Sequence, residues 1–513
     1  MIQEHLNRGA AHFSAQPQIL IKDCTLLDPE VPGHLRHHQD ILLSGQTIQA
    51  IGPSNTLDIN PFRIEHTIDG KERLALPGMI NAHTHSLENM LKATSPSLPL
   101  ELWLIPLFSE NIQWNPRFVY LSALLGAIEM LKSGTTAVLD HLWTADGVSL
   151  PSLNATMEAY HTAGIRAAVA PSIEDQDLVL EAGQAHGLHF PHHPFIDRFH
   201  TWAPIPEQLA ALDDFIAIWH NSAEGRLRCL IGPSGIHWCS AELLASCNAM
   251  AQRYQTGLHL HAVETEIQAK VIRDRLGMGG IKYLRQQEVL RPGTSLAHAI
   301  WLDDGDLELL AESGSSIVHN PISNLRLGSG RFHLVQALEK GVTVALGSDG
   351  SASNDTQNMF GVLKFSGLLH NQPGEDYRKW PQPHELLEAT TRGGATALGM
   401  EDQLGKLAPG YLADIILLNL ENSAFFPLRD PYLHLVYCEN GSSVDTVIVN
   451  GRVVVEHGKV QTVDEQALRA EIRKHYASLW PDFPAQLTEN TQEVLNTLET
   501  LRQVLLQPDP VSR

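Results

Sequence analysis

Two histidines one residue apart, His83 and His85 in INAHTHSLEN, close an apolar stretch of the chain. On a β-strand, side chains two apart point to the same side, so both imidazoles can reach one ion. Three further stretches carry metal-capable or proton-transferring groups: His259, His261 and Glu264 in LHLHAVETE, His298 in SLAHAIW, and Asp349 in ALGSDGSASND. His83, His85, His261 and Asp349 make a ligand set of three imidazoles and one carboxylate. That set suits zinc first, with Fe(II) or Mn(II) as alternatives. His259 lies one pleat deeper than His261 and reads as a core histidine. No lysine stands where it could form a bridging carbamate, so one ion is expected. A divalent ion lowers the pKa of bound water from about 15.7 toward about 7. At about 1.4 kcal/mol per unit, hydroxide forms more easily by roughly 12 kcal/mol. Asp349 is placed to take the water proton while holding the ion. Glu264, at the turn after its strand, is placed to face the reacting water and to protonate a ring nitrogen. Acid–base help of this kind is worth roughly 10² to 10⁴ in rate. His298 orients the nucleophile or stabilises the tetrahedral intermediate. The expected chemistry is hydrolytic attack on an amidine-like ring carbon, with loss of ammonia.

Residues so far apart in sequence need a frame that brings them together. The middle of the chain alternates strand and helix. Strand candidates lie near Leu76–Ala82, Thr135–Asp140, Ile165–Pro171, Leu227–Pro233, Gly257–Val263, Thr294–Ala299, Ser315–His319 and Val342–Ser348. Helical patterns separate them, over Phe118–Lys132, Ala241–Gln255, Leu307–Glu312 and His333–Lys340, each stopping near a glycine. Eight such units predict an α/β fold, a (β/α)₈ TIM-like barrel over 76–403. In such barrels catalytic groups sit at the C-terminal ends of the strands, and the polar residues named above fall at those ends. So do Asp140 and His141 after the second strand, Ser234 and His237 after the fourth, and His319 after the seventh. His141 and His319 either line the pocket or serve structural roles. Alternating apolar residues broken by Gly, Asp and Asn fill 18–75 and 404–460, which predicts one small β-sandwich domain made from both chain ends. The tail over 461–513 reads as two helices split by PDFP.

Composition narrows the partners. The 513 residues carry a formal charge of −22, which repels phosphate backbones and anionic lipid, so neither nucleic acid nor membrane is expected. No apolar run approaches a membrane span, and the first residues lack the apolar core of a signal peptide. Five scattered cysteines without a CxxC pair suggest reduced thiols and a cytoplasmic address. The small zinc deaminase fold acting on cytidine needs HxE with a later PCxxC, and neither occurs.

The stretches LPGMINAHTH, MLKSGTTAVLDH, HLHAVET, SLAHAIWL, VHNPISNLRLGSG, LGSDGSASN and GKLAPGYLADIILL together resemble the amidohydrolase superfamily, over about Ile19 to Gly458. The branch most similar holds methylthioadenosine/S-adenosylhomocysteine deaminases, guanine deaminases and triazine hydrolases. The resemblance implies the same metal ligands, with Glu264 and His298 catalytic. It also implies substrate contacts from Glu101 and Trp103 in PLELWL, an acid for ribose hydroxyls or a ring edge and an indole for stacking. Two positions depart from the nucleoside deaminases. Ser234 stands where they have a base-contacting histidine, with His237 three residues on, and the stretch after the third strand, AAVAPSIEDQDL, lacks the arginines that receive a homocysteine carboxylate. The expected substrate is therefore a small heterocycle: a purine or adenosine-type nucleoside, a pterin, a pyrimidine or a triazine-like ring. The alternatives are a triazine hydrolase expelling chloride or an alkylamine, and a non-catalytic scaffold. Members of this branch often form dimers or larger assemblies, so a homo-oligomer is expected by analogy.

Overall fold

A computed structural model describes residues 17–27, 31, 33–108, 114–198, 202–479 and 488–506. Eight parallel strands form the barrel. They are Met79–Thr84, Thr135–Leu142, Arg166–Ile173, a fourth broken into Leu227–Cys229 and Gly232–Pro233, then Leu258–Ala262, Thr294–His298, Ser316–His319 and Thr343–Leu346. Strands one to four and five to eight form two arcs. The arcs join through bridges at Ile231 to Leu258 and Gly235 to His261. The ring closes where the Asp349 N–H donates to the His83 carbonyl at 2.9 Å. The barrel expected from eight alternating units is therefore present. Leu76 belongs instead to Arg73–Pro77, a strand of the other sheet, so the first barrel strand starts later than its apolar pattern suggested.

Local sequence explains the connecting helices. Asn115 accepts from the Phe118 N–H and Pro116 sits in the first turn of Pro116–Lys132, a favoured start. Ser240 caps Ala241–Arg253 and Thr265 caps Glu266–Leu276 in the same way. The barrel floor is sealed by the segment Ala389–Ala397, where a Cβ on Gly393 would collide with the Val344 carbonyl. Ile80, Leu139, Ala168, Leu230, Ala395 and Leu398 pack together there.

The chain ends form a nine-stranded, mostly antiparallel sheet. Gln18–Leu27 changes partner along its length, pairing with Ile64–Asp69 and then with Arg73–Pro77, while Leu35–Ser44 lies on its other side. Thr47–Pro53 pairs with Leu35–Ser44, and Ile415–Asn419, Val444–Val449, Arg452–Glu456 and Lys459–Val460 complete it. Ile21, Ile41, Leu43 and Ile48 share one core with Ala75, Ile415, Leu417 and Ile448. Buried Arg166, from the third barrel strand, makes a two-pronged pair with Asp414 at 2.9 Å per contact and donates to Asn450 at 2.8 Å. This anchors the end sheet to the barrel.

Two C-terminal helices, Glu465–Leu479 and Glu489–Leu505, follow. The PDFP stretch expected between them lies outside the described residues. No helix among the described residues is long and apolar enough to cross a membrane. The five cysteines form no disulfide.

Two histidines away from the ligand cluster set an acid limit on the fold. Burial, with Arg198 adding to it, lowers His237 to about 3. Burial, with Arg331 and His333 adding, lowers His370 to about 4. Both are neutral in the folded state and bind a proton near 6.5 once unfolded. The unfolded chain thus binds more protons below pH 6.5, and stability present above that pH is lost as pH falls toward 4 and then 3. Each unit of difference is worth about 1.4 kcal/mol per group. Thermal midpoints measured from pH 8 to pH 4 are expected to fall mostly below pH 6.5, and less steeply in His370→Gln. An unchanged slope in that variant would rule out this source.

Candidate active site

The cluster stands at the C-terminal ends of the barrel strands. His83 Nε2 and His85 Nε2 lie 3.4 and 3.3 Å from Asp349 Oδ1, and His261 Nε2 lies 3.3 Å from His85 Nε2. The four residues expected to hold an ion therefore converge on one point.

Their hydrogen bonds fix the ring tautomers. His85 Nδ1 faces the His141 carbonyl at 2.6 Å and His261 Nδ1 faces the Ser234 carbonyl at 2.6 Å. A carbonyl only accepts, so each Nδ1 carries the proton and each Nε2 presents a lone pair. For His83 the proton order is set through a chain of three groups. The Ser295 hydroxyl donates to the Leu258 carbonyl at 3.4 Å and accepts from His259 Nδ1 at 2.7 Å, so His259 Nε2 accepts from His83 Nδ1 at 2.8 Å. His83 Nε2 then also presents a lone pair, and it is buried with no hydrogen-bond partner. Three lone pairs and a carboxylate aimed at one another repel unless a cation lies between them. Outer groups that orient metal-bound imidazoles in this way are a recurrent feature of such sites. The donor set and the orphaned His83 Nε2 therefore fit a divalent ion. His259, read from sequence as a core histidine, has partners on both ring nitrogens. His259→Ala removes the acceptor that orients His83 and is expected to weaken ion affinity about 10- to 100-fold. Competition with a chromogenic chelator measures this, and unchanged affinity would refute it.

Asp349 adopts φ +63°. Its N–H bond to His83 and bonds to its carbonyl from Thr84 Oγ1 (3.1 Å) and Gln357 Nε2 (3.2 Å) hold that shape. Burial pushes its carboxyl up, but His83, His85 and His298 outweigh this and hold it well below the usual carboxylate range. His298 also has positive φ, at +70°. Its Nδ1 donates to Asn324 Oδ1 at 2.8 Å, which turns Nε2 toward Glu264 Oε2 (3.7 Å) and Asp349 Oδ2 (3.9 Å). Glu264 accepts from Ser329 Oγ at 3.0 Å. Burial, opposed by His298, pushes its carboxyl up to about 7. It can therefore carry a proton near neutrality, as a general acid requires.

These groups open onto a cavity of about 700 Å³. His85, His261, Glu264, His298 and Asp349 form its polar end, and Trp103, Phe108, Trp114, Trp143, Trp202 and Trp238 supply aromatic walls. Trp103 and Ser234 line this cavity. Ser234 Oγ is engaged with Ser172 Oγ at 2.6 Å and the Ile173 carbonyl at 2.9 Å.

Four residues that the sequence offered as candidates for the pocket do not line this cavity. Glu101 points away from it: one carboxylate oxygen accepts from Thr265 Oγ1 at 2.7 Å and the other pairs with Arg502 at 2.7 Å. His237 packs its ring on Trp238, with centroids 4.1 Å apart. His141 stacks on His261, with centroids 4.7 Å apart, and one of its ring nitrogens lies within 4.8 Å of ring nitrogens of His83 and His261. His319 is buried against His370, with Nε2 atoms 3.2 Å apart. His141 and His319 lie in barrel strands, Thr135–Leu142 and Ser316–His319, while His237 follows the fourth strand and Glu101 sits on the helix Leu100–Leu107.

Two lining residues escaped the sequence reading. Glu88 is buried on the cavity wall, accepting from the Ala352 N–H at 3.2 Å and from Trp143 Nε1 at 3.4 Å. Burial pushes its carboxyl up to about 7. Its position three residues after His85 was the available signal. Arg198 reaches the cavity from far along the third βα connection, well past AAVAPSIEDQDL, and pairs with Glu174 at 2.9 Å.

The sequence profile of the amidohydrolase family matches residues 74–454. Over 461 residues the chain is 32% identical to a 5-methylthioadenosine/S-adenosylhomocysteine deaminase of Pelotomaculum thermopropionicum, covering 89% of this chain and 97% of that one. It is 34% identical over 414 residues to a 5'-deoxyadenosine deaminase of Methanothermobacter thermautotrophicus, covering 80% and 88%. Among solved structures, an atrazine chlorohydrolase from Arthrobacter aurescens, complexed with zinc, superposes with a TM-score of 0.79 at 28% identity, covering 89% of this chain and 99% of that one.

Proposed function

Because this chain belongs to the amidohydrolase family, we propose that it removes an exocyclic amine from an aromatic nitrogen heterocycle by metal-dependent hydrolysis, with adenosine-type purines as the leading substrate class. The observation that carries the reading is the convergence of three imidazole lone pairs and Asp349 beside a carboxyl able to hold a proton near pH 7. The two deaminase relatives, named for adenosine-type nucleosides, support the substrate class.

His83, His85, His261 and Asp349 would hold one divalent ion, and zinc is favoured by the zinc-containing neighbour. When bound, such an ion supplies the activation of water as a nucleophile. The rest falls to the chain's own groups. Asp349 and His298 accept and orient around the attacking water, and Glu264 delivers a proton to the ring nitrogen next to the attacked carbon. Asp349, having taken a proton from the water, passes it to the amine; the C–N bond breaks, ammonia leaves, and the added hydroxyl gives its remaining proton back to Glu264 as the ring carbonyl forms. Trp103 and the neighbouring aromatics bury the ring. Glu88, at the polar end of the same wall, is placed to accept from a ring N–H or amine.

The side chains around the opening favour a neutral or cationic substituent over an anionic one. Arg198 is engaged by Glu174, and Asp146 and Glu207 add negative charge to the lining. A 5'-substituted adenosine without a carboxylate is thus preferred over S-adenosylhomocysteine. A triazine substrate losing chloride or an alkylamine is the second reading, supported by the atrazine chlorohydrolase neighbour. The reading includes a cytoplasmic address, supported by unpaired thiols, and self-association. Ammonia release across 5'-substituted adenosines, aminopurines, pterins and aminotriazines, with chloride release from chlorotriazines alongside, tests it. Turnover confined to chlorotriazines would overturn the main reading.

A further inference from the structure

Glu101 is buried, yet no substrate would reach it. Its two oxygens reach segments 401 and 164 residues further along the chain: Arg502 Nη1 donates to Oε2, and Thr265 Oγ1 donates to Oε1, each at 2.7 Å. Thr265 directly follows Glu264. The Thr265 hydroxyl also accepts from the Gln268 N–H at 3.2 Å, and Gln268 Oε1 accepts from the Glu264 N–H at 3.0 Å. The backbone on both sides of the Glu264 carboxyl is therefore held by one small network, and Arg502 is its outermost member. The helix carrying Arg502 is firmly seated. Val494, Leu498, Leu501 and Leu505 pack in one cluster that includes Leu102 and Ile105 beside Trp103, and Ile267 and Val271 just past Thr265.

We propose that Glu101 is a positioning residue, locked by Arg502 of the C-terminal helix Glu489–Leu505, that sets the turn carrying Glu264 through the Thr265 hydroxyl. The assignment rests on Glu264 being the proton donor proposed above. The C-terminal helix is then part of the catalytic wall. Removing Arg502 leaves the Glu101 carboxylate buried with only a hydroxyl partner, a costly arrangement, and the network must rearrange. A displacement of about 1 Å in a catalytic group costs up to about 10²-fold in rate.

The test uses the full-length, ion-loaded protein with whichever heterocycle the ammonia assay shows to be turned over fastest. Arg502→Ala is expected to lower kcat about 10- to 100-fold, with unchanged ion content and unchanged affinity for the deaminated product. Arg502→Lys, which retains a cation, is expected to restore most of the rate. A merely structural role would lower the melting midpoint and leave kcat of the folded enzyme intact, and that result would overturn the proposal. So would a rise in KM with weaker product binding at full kcat, which would make Glu101 part of the substrate wall. Glu264→Gln is measured alongside. If it keeps full kcat, the proton-donor reading has failed and the proposal falls with it; if it loses kcat while Arg502→Ala does not, the positioning role alone has failed. Should Arg502→Ala not fold, Glu101→Gln, which keeps the side-chain shape and removes the charge, gives the same reading.

Discussion

Asp349→Asn is expected to reduce kcat/KM by more than about 10³-fold. Two losses combine. The ion's only anionic ligand in the proposed set becomes a neutral amide, so occupancy falls. The same change removes the acceptor for the water proton, and general base help alone is worth roughly 10² to 10⁴. Without the ion, up to about 12 kcal/mol of water activation is forfeited, from the shift of roughly nine pKa units. Asparagine is the right replacement because it tolerates the positive φ of +63° that this position adopts. The N–H bond to the His83 carbonyl that closes the barrel is also kept. Turnover and ion content measured on the same preparation check the prediction. A variant with a full complement of metal and near wild-type turnover would remove Asp349 from the mechanism.

Glu264→Gln tests a different step. The amide matches the carboxyl in shape and keeps an oxygen to accept from Ser329 Oγ, so the turn should stand. It has no proton to transfer. Turnover is expected to fall by roughly 10² to 10⁴ with ion content unchanged and substrate affinity little affected. The pattern separates it from Asp349→Asn, which loses both metal and rate. If the glutamine variant instead lost metal, Glu264 would belong to the ligand set and the proton would have to come from elsewhere, with Glu88 the nearest candidate in chemistry.

Much of the polar end of the site was legible in the sequence for reasons of backbone geometry. A strand's two-residue repeat puts His83 and His85 on one side whatever surrounds them. A parallel barrel gathers all of its strand ends on one face, so a histidine or aspartate closing such a strand has only a short way to point. The same rule left open whether His141, His237 and His319 line the pocket or serve the fold. Closing or following a strand brings a residue near the mouth, but its side chain turns by what packs against it: Trp238 for His237 and His370 for His319.

The cavity walls were harder to read. Trp103 and Glu101 lie two residues apart on one short helix, Leu100–Leu107. One faces the substrate space and the other is claimed by Thr265 and Arg502. Arg502 is absent from any motif, and its partner is 401 positions away. Glu88 and Arg198 likewise gain meaning only from neighbours brought by folding.

The sequence by itself determined the barrel, the cluster of imidazoles at its rim and the metal-assisted hydrolytic chemistry they suit. Strand periodicity and strand-end position are local properties that survive without knowledge of the rest. Tertiary structure alone decided which nitrogen of each ring is free, which acid faces the cavity, and which helix braces it. Those depend on long-range contacts whose partners no spacing rule encodes.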